Sequence, residues 1–149
     1  MPELGTGRHR LPLLAVSQAQ KEIMHNEALV LIDALLHMAV ESVLSAAPMA
    51  TDSDIGKCWI VNGTPTGLWA NKDGQIALWS GGGWRFVLPH EGMRVWNKST
   101  RRHSIHIAGQ WVSAPAISNP TGGVVVDSEA RTALAAILQY FRLIGILAT

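Results

Sequence analysis

The chain has 149 residues, a formal net charge of +1, and 15% charged residues against 48% hydrophobic ones. This length allows one ordinary domain or two very small ones. Without a basic block the chain shows no sign of nucleic-acid binding, and its single cysteine excludes an intrachain disulfide and a cysteine-rich zinc site. We expect that cysteine, Cys58, to be a buried, small apolar residue. The high apolar fraction also suits a protein whose surface is partly covered in an assembly.

The N-terminal arm, residues 1–16, has two glycines, two prolines and no regular apolar period. Because its prolines restrict the unfolded chain, ordering this arm on a partner costs less conformational entropy. We therefore expect the arm to dock on another protein of the same assembly. The apolar residues expected to make this contact are Leu11, Pro12, Leu13 and Leu14.

A long helix is predicted over residues 17–47, because Ser17 and Gln20 fit a capping box and neither proline nor glycine interrupts the segment. The second half of this segment is apolar on most of its circumference, which is typical of a helix buried on more than one side. We expect Leu35 and Leu36 to contribute to a subunit interface.

Three polar residues, Asp33, His37 and Glu41, interrupt the apolar half of the predicted helix at intervals of four. On a helix they would form one narrow stripe. The stripe breaks the apolar run well short of the roughly 20 residues that a membrane span needs. It is expected either to be solvated and hydrogen-bonded or to converge near a symmetry axis.

The segment 55–112 changes to short β-strands and contains all six tryptophans. Glycine-containing turns separate five apolar runs, which predict strands at 58–61, 76–79, 84–88, 93–96 and 104–107. The triplets Gly82–Trp84 and Gly109–Trp111 form a weak internal repeat, because each one follows a turn. We interpret the segment as two related hairpins in one small antiparallel sheet.

The tryptophans allow two interpretations. A flat indole face stacks on sugar rings through apolar contact, so an exposed tryptophan is a platform for carbohydrate. Alternatively, a small sheet with little core uses its tryptophans to bury area. The candidates for exposed carbohydrate platforms are the four that lie near turns: Trp69, Trp79, Trp96 and Trp111.

A linker rich in proline, glycine and serine, residues 113–126, leads into a predicted helix over 127–149. Asp127 fits an N-cap and Gly145 the residue after a Schellman C-cap. Leucine at heptad position a with isoleucine at d favours bundles of three or four helices. We therefore expect this helix to hold an oligomer together, and we expect the oligomer to be a homotrimer. The alternative is a helix packed on its own domain. The predicted heptad seam consists of Leu134, Ile137, Phe141 and Ile144.

The sequence contains few patterns that are typical of catalytic or metal-binding sites. The sequence has neither a Gly-x-Ser-x-Gly elbow nor a phosphate loop, and no carboxylate pair in the β-region indicates a glycosidase. His103 and His106 are three residues apart, which in a strand places them on opposite faces and disfavours a metal site. We therefore expect no enzymatic activity, no metal and no cofactor, with a small hydrolase as a remote alternative.

Several motifs follow one another in the first part of the chain: Leu-Pro-x-Leu at 11–14, Gln-Ala-Gln-Lys at 18–21, His-Asn-Glu-Ala-Leu at 25–29 and Asp-Ala-Leu at 33–35. With the later Gly-Gly-Trp element, they resemble an uncharacterised family of tailed phages, prophages and gene transfer agents of alphaproteobacteria, over roughly residues 8–112. The segment 122–147 separately resembles the C-terminal helix of many phage fibre and virion-surface proteins. Both resemblances imply a virion structural protein, and neither supplies catalytic residues.

We interpret the chain as an α+β protein with a long N-terminal helix, a small Trp-rich antiparallel β-domain and a C-terminal oligomerising helix. The resemblances imply a head spike, head fibre or tail-fibre adaptor on the virion surface, made in the bacterial host cytoplasm and used in host attachment. The expected partners are further copies of the chain and, through the arm, a capsid or tail protein, but not nucleic acid or a membrane. The alternative is a carbohydrate-binding module that contacts host surface polysaccharide.

Overall fold

The computed structural model describes residues 4–15 and 21–148, which form two helices and two four-stranded sheets. The prediction of a long N-terminal helix and a single antiparallel sheet is therefore wrong, because the described chain is mostly β with a short helix towards each end. In chain order the elements are α1 (Lys21–Leu35), β1 (Ala39–Val40), β2 (Val43–Ala46), β3 (Cys58–Thr66), β4 (Ile76–Ser80), β5 (Gly83–Val87), β6 (Arg94–Asn97), β7 (Arg102–Ile107), β8 (Gln110–Val112) and α2 (Ser128–Leu143).

Helix α1 ends at Leu35, well before the predicted end, because the chain continues into β1 and β2. His37 has a positive φ of 46°, which no right-handed helix can contain. The guanidinium of Arg8 donates hydrogen bonds to the carbonyls of Ala34 (2.8 Å) and His37 (2.9 Å). These bonds satisfy carbonyl groups that the end of a helix leaves free. Local periodicity could not reveal this stop, since the capping cation comes from a distant part of the chain.

The predicted polar stripe does not form, because its three members lie on different parts of the structure. Asp33 is on α1 and is only 2% exposed, whereas His37 lies in the turn that follows α1. Glu41 lies between β1 and β2, and its carboxylate pairs with the ammonium of Lys98 at 2.6 Å. The predicted capping box, Ser17 with Gln20, lies outside the described part of the chain.

The two sheets share one plan. The strand order is β2-β3-β4-β5 in the first sheet and β1-β6-β7-β8 in the second. In each sheet the first pair of strands is parallel and the next two pairs are antiparallel. The two predicted hairpins are confirmed as β4-β5 and β7-β8, but they belong to separate sheets. Residues 39–46, predicted to be helical, instead supply the first strand of both sheets.

The first sheet is covered by apolar side chains on both faces. One face packs against the end of α1 and the start of β6, and the other is filled largely by tryptophan rings. Burial raises the pKa of the Cys58 thiol to about 12, and this residue is fully buried as the sequence predicted. The core between the sheets and α1 contains Ala34, Met38, Val40, Cys58, Ile60, Ile76, Leu78, Met93 and Val95.

The described part of the arm, residues 4–15, is a tight turn that packs on α1 of the same chain. The carboxylate of Asp33 accepts hydrogen bonds from the backbone N–H groups of Arg8 (2.8 Å) and His9 (2.7 Å). The tip of the arm is therefore part of the fold. Of the four predicted docking residues, Leu11 and Leu13 are half-buried. Pro12 and Leu14 are exposed.

Both predicted caps of α2 are confirmed. The side chain of Asp127 accepts a hydrogen bond of 2.8 Å from the backbone N–H three residues ahead. At the other end, Gly145 has a φ of +72° and its N–H donates to the carbonyl of Arg142. The N–H of Ile146 donates to the carbonyl of Phe141 at 2.9 Å, which completes a Schellman motif.

Candidate functional site

The heptad seam of α2 is only partly covered by the rest of the described chain. Leu134 is 48% exposed, Ile137 50% and Phe141 36%, while Ile144 is half-buried. Every residue of α2 keeps a substantial part of its surface exposed. We call these four residues the α2 seam. Among residues 4–15 and 21–148, no seam residue belongs to either buried apolar cluster, although the sequence period of the seam is that of an interface.

Helix α2 is attached to the body of the protein by its ends and by two arginines. The side chains of Arg131 and Arg142 donate hydrogen bonds to the linker carbonyls of Gly122 and Ile117. Beyond the helix, the carbonyl of Gly145 accepts a hydrogen bond of 2.8 Å from the backbone of β7. Polar contacts therefore fix the orientation of α2 and leave its apolar seam free.

The outer side of α1 is a second apolar surface. Leu35 and Leu36, the predicted interface residues, are 42% and 43% exposed. Met24 and Ile32 are exposed on the same helix. Because single exposed apolar residues are common, this surface is weaker support for an interface than the periodic α2 seam.

The structure separates the four candidate carbohydrate platforms. Trp69 is 0% exposed, so its ring is a core residue and the prediction of a surface platform at this position is wrong. Trp79, Trp96 and Trp111 are partly exposed. The indole N–H groups of Trp79 and Trp111 donate to backbone carbonyls at 2.9 Å, which fixes the orientation of both rings.

An open groove lies on the outward face of the second sheet, with a volume of about 620 Å³. Trp96 forms its floor, with the ring of His103 at 4.9 Å in an edge contact. A Cβ on Gly145 would overlap the Trp96 ring, so the chain just after α2 can approach this ring only with glycine at position 145. We call this surface the outer groove. It is lined chiefly by Arg94, Trp96, His103, Ile105, Val112 and Ile146.

The outer groove is a feature that local sequence patterns do not predict. The alternation of a strand places Arg94 and Trp96 on one face, and this signal was present in the sequence. What the sequence could not show is that the opposite face of β6 carries Val95 into the core. Only that packing establishes that Arg94 and Trp96 face outwards.

Among the described residues that line the outer groove, the charged side chain is a cation, Arg94. Arg94 is exposed, and His37 and His103 lie at the same surface. No acidic side chain from residues 4–15 or 21–148 lines the groove. The groove therefore suits an apolar ligand surface that carries a carboxylate.

The described residues contain little that could carry out catalysis. His103 and His106 lie on opposite faces of β7, as predicted, with His106 buried and His103 exposed. Within residues 4–15 and 21–148 no three histidine, cysteine or acidic side chains form a group that could hold a metal ion. Asp54 has a pKa lowered to about 2, because it accepts hydrogen bonds from Lys57 and Thr51. This arrangement closes a local turn at the surface.

Neither helix of the described chain is long and apolar enough to cross a membrane. No curated protein matches the chain. One family model does match, over residues 25–112, which include most of α1 and every strand of both sheets. Because this match covers more than half of the 149 residues, the chain belongs to the family described as "Protein of unknown function (DUF2793)".

Proposed function

We propose that the protein is a homotrimeric structural component of a phage or gene-transfer-agent particle, exposed on the virion as a short spike, fibre or adaptor. The exposed α2 seam is the observation that supports this proposal. A regular row of apolar side chains on a capped helix needs a partner, and a symmetric assembly of identical chains supplies one.

The energetics favour contact between copies over an isolated helix. Isolated helices of this length are marginal in water, and most helical stability in proteins comes from tertiary packing. In α2 that packing is slight among the described residues, since the helix buries none of its own residues completely. Removing a large apolar side chain such as Ile137 or Phe141 from water contributes roughly 1.5–3 kcal/mol.

Light scattering of a charged variant tests the role of α2. Ile137→Asp should convert the oligomer to a monomer, because burying an unpaired carboxylate in the interface costs several kcal/mol. The matched control is Gln139→Asp, which adds the same charge on the opposite side of the helix and should leave the oligomer intact. An unchanged mass for the Ile137→Asp variant would reject the proposal.

Incorporation into particles tests the virion part of the proposal. The protein should be present in stoichiometric copies in purified particles, measured by quantitative mass spectrometry. Leu14→Asp changes an exposed arm residue, so it should preserve folding and oligomerisation but reduce incorporation. Deleting the arm would be a poorer test, because Arg8 and His9 help to hold α1. Particles that lack the wild-type chain would contradict the assignment.

Carbohydrate binding is the second candidate function, and Trp79 is the residue that favours it. Its ring is partly exposed, packs against Trp84 at 5.0 Å between centroids, and is fixed by the hydrogen bond to the Thr51 carbonyl. A fixed, partly exposed indole loses little entropy when a sugar stacks on it. Trp79→Ala should abolish retention on immobilised host polysaccharide without dissociating the oligomer, and Trp79→Phe should restore part of it. Equal retention of all three proteins would exclude this platform.

A further inference from the structure

The two sheets are equivalent residue by residue. In the first sheet Cys58 lies opposite Leu78 and Ile60 opposite Ile76, and in the second sheet Arg94 lies opposite Ile105 and Trp96 opposite His103. The parallel strands give the same alignment of the two sheets, since Val43 pairs with Ile60 in the first sheet and Ala39 pairs with Trp96 in the second. The resulting equivalences are Cys58 with Arg94, Ile60 with Trp96, Ile76 with His103 and Leu78 with Ile105.

The equivalent faces of the two sheets are covered differently. In the first sheet, the face with Ile60 and Leu78 packs against α1 through Val30, Leu31 and Ala34. In the second sheet, the equivalent face is the outer groove. Beside the sheet itself, the described residues that line this groove are His37, Met38, Ala114 and Ile146, and none of them belongs to a helix. The position that corresponds to α1 is therefore open.

A charge pair fastens α1 to the first sheet. Arg85, on the face covered by α1, donates two hydrogen bonds to the carboxylate of Glu27, at 2.8 and 3.0 Å. The second sheet has a cation on its equivalent face, Arg94, and this side chain is exposed. A helix that docks there would need an apolar row and a carboxylate.

Helix α2 has both features. Its seam is apolar, and Asp127 and Glu129 lie at its N-terminal end, on either side of the line of the seam. Its two cations, Arg131 and Arg142, are turned to the linker carbonyls. The charges that it presents outwards are therefore acidic, opposite to those of the outer groove.

The α2 helix of the same chain is poorly placed to fill the groove. Its C-terminal end is held at the groove by Gly145, which contacts the ring of Trp96 and accepts a hydrogen bond from the backbone of His103. Folding the seam back over Trp96 would break this contact and the Schellman motif beside it. A second chain has no such restriction.

We propose that the outer groove receives the α2 seam of a second copy of the chain, in the position that α1 occupies on the first sheet. This inference rests on the proposed homo-oligomeric function and specifies what the seam contacts. Each copy then gives one helix and accepts one helix. A contact of this kind is heterologous, and it closes into a ring when three copies are related by a three-fold axis.

Disulfide trapping between two different variants tests the contact directly. Val112→Cys places a thiol in the groove and Ile137→Cys places one on the seam. When the two variants are mixed, allowed to exchange chains and oxidised with copper phenanthroline, the covalent product should be a mixed dimer. The native Cys58 should not react, because it is buried and its thiol pKa is raised to about 12. Leu68→Cys, an exposed position away from the groove, is the matched control and should give no mixed dimer with Ile137→Cys.

The outcomes of this experiment separate the two proposals. A Val112–Ile137 mixed dimer supports helix exchange. A dimer between two Ile137→Cys chains, without the mixed product, shows that the α2 helices bundle with one another, which overturns the groove contact and leaves the proposed oligomer intact. A wild-type chain that is monomeric in light scattering overturns both. If Trp96→Ala loses polysaccharide binding while the oligomer stays unchanged, the groove binds sugar and not a helix. This result also overturns helix exchange.

A charge exchange gives an independent measurement. Arg94→Glu should raise the dissociation constant of the oligomer at least about tenfold, because two like charges then meet across the contact. Glu129→Arg alone should weaken it in the same way, and the double variant should recover most of the wild-type affinity. If the two effects simply add, Arg94 and Glu129 do not meet and the proposed orientation is wrong.

Discussion

The two helices of this protein have nearly the same length but are buried to different extents. Helix α1 has 15 residues and buries Asp33 and Ala34 against the arm and the sheets. Helix α2 has 16 residues and leaves its three apolar seam residues, Leu134, Ile137 and Phe141, largely exposed. Long-range polar contacts from Arg8 and Arg85 hold α1 along its length, whereas α2 is held at its ends and by two arginines.

Because of this difference, we expect substitutions in the two helices to affect different measurements, the stability of one chain and the association of copies. Substitutions in the buried side of α1 should act on the free energy of unfolding of each chain. Substitutions in the α2 seam should act mainly on association, because a single chain gains little from that surface. The α2 seam is therefore the surface on which the proposed contact between copies depends.

The largest effect is expected from a charge on the buried side of α1. Ala34 is 1% exposed in the main core, so Ala34→Asp should destabilise the chain by more than about 4 kcal/mol or prevent folding. Ala28→Asp is the matched control, since Ala28 lies on the exposed side of the same helix. Urea denaturation compares the two. Equal stability of both variants would show that α1 is not packed as described.

The next effect concerns the buried carboxylate of Asp33. Asp33→Ala leaves the N–H groups of Arg8 and His9 without their acceptor, and should cost about 3 kcal/mol. The exposed Asp73 is the control, and Asp73→Ala should change the free energy of unfolding by less than about 0.5 kcal/mol. Thermal and chemical unfolding measure both. A loss for Asp33→Ala no larger than the control would mean that the arm does not contribute to the fold.

The sequence predicted α2 well and α1 poorly, for a physical reason. Every signal that defines α2 is local: the cap at Asp127, the seam, and Gly145. The end of α1 depends on Arg8, which lies far away in sequence. The apolar run after Leu35 also has no period that separates a buried helix from short buried strands, so the segment that forms β1 and β2 was predicted to be helical.

The β-region shows the same division between local and non-local information. All five predicted strands are present, because alternation and glycine turns are local signals. Their assignment to two sheets depends on residues 39–46, which pair in parallel with both β3 and β6. Tryptophan was ambiguous for a related reason. Trp69 and Trp79 lie beside similar turns, and only packing makes the first a core residue and leaves the second partly exposed.

A smaller effect is expected where α2 meets the second sheet. Gly145→Ala adds a methyl group against the Trp96 ring at a φ of +72°, and should cost about 2 kcal/mol. Gly74→Ala is the matched control, because Gly74 has a similar φ of +74° but open space around its Cβ position. It should cost only the backbone strain, about 1 kcal/mol. If both variants lose the same stability, the contact between Gly145 and Trp96 does not hold the end of α2.

The smallest effect is expected at the other end of α2. Asp127→Ala removes the side chain that accepts the hydrogen bond from the first turn, and should destabilise the helix by about 1 kcal/mol. Asp127→Asn is the control, because asparagine caps helices nearly as well as aspartate. The measurement is hydrogen exchange of the α2 amides in the monomeric Ile137→Asp background. There α2 should open locally, so faster exchange should be confined to residues 128–143 while the core amides of β3 and β4 stay protected. Faster exchange of those core amides as well would show that α2 and the sheets unfold as one unit, and that the two helices are less different than their packing indicates.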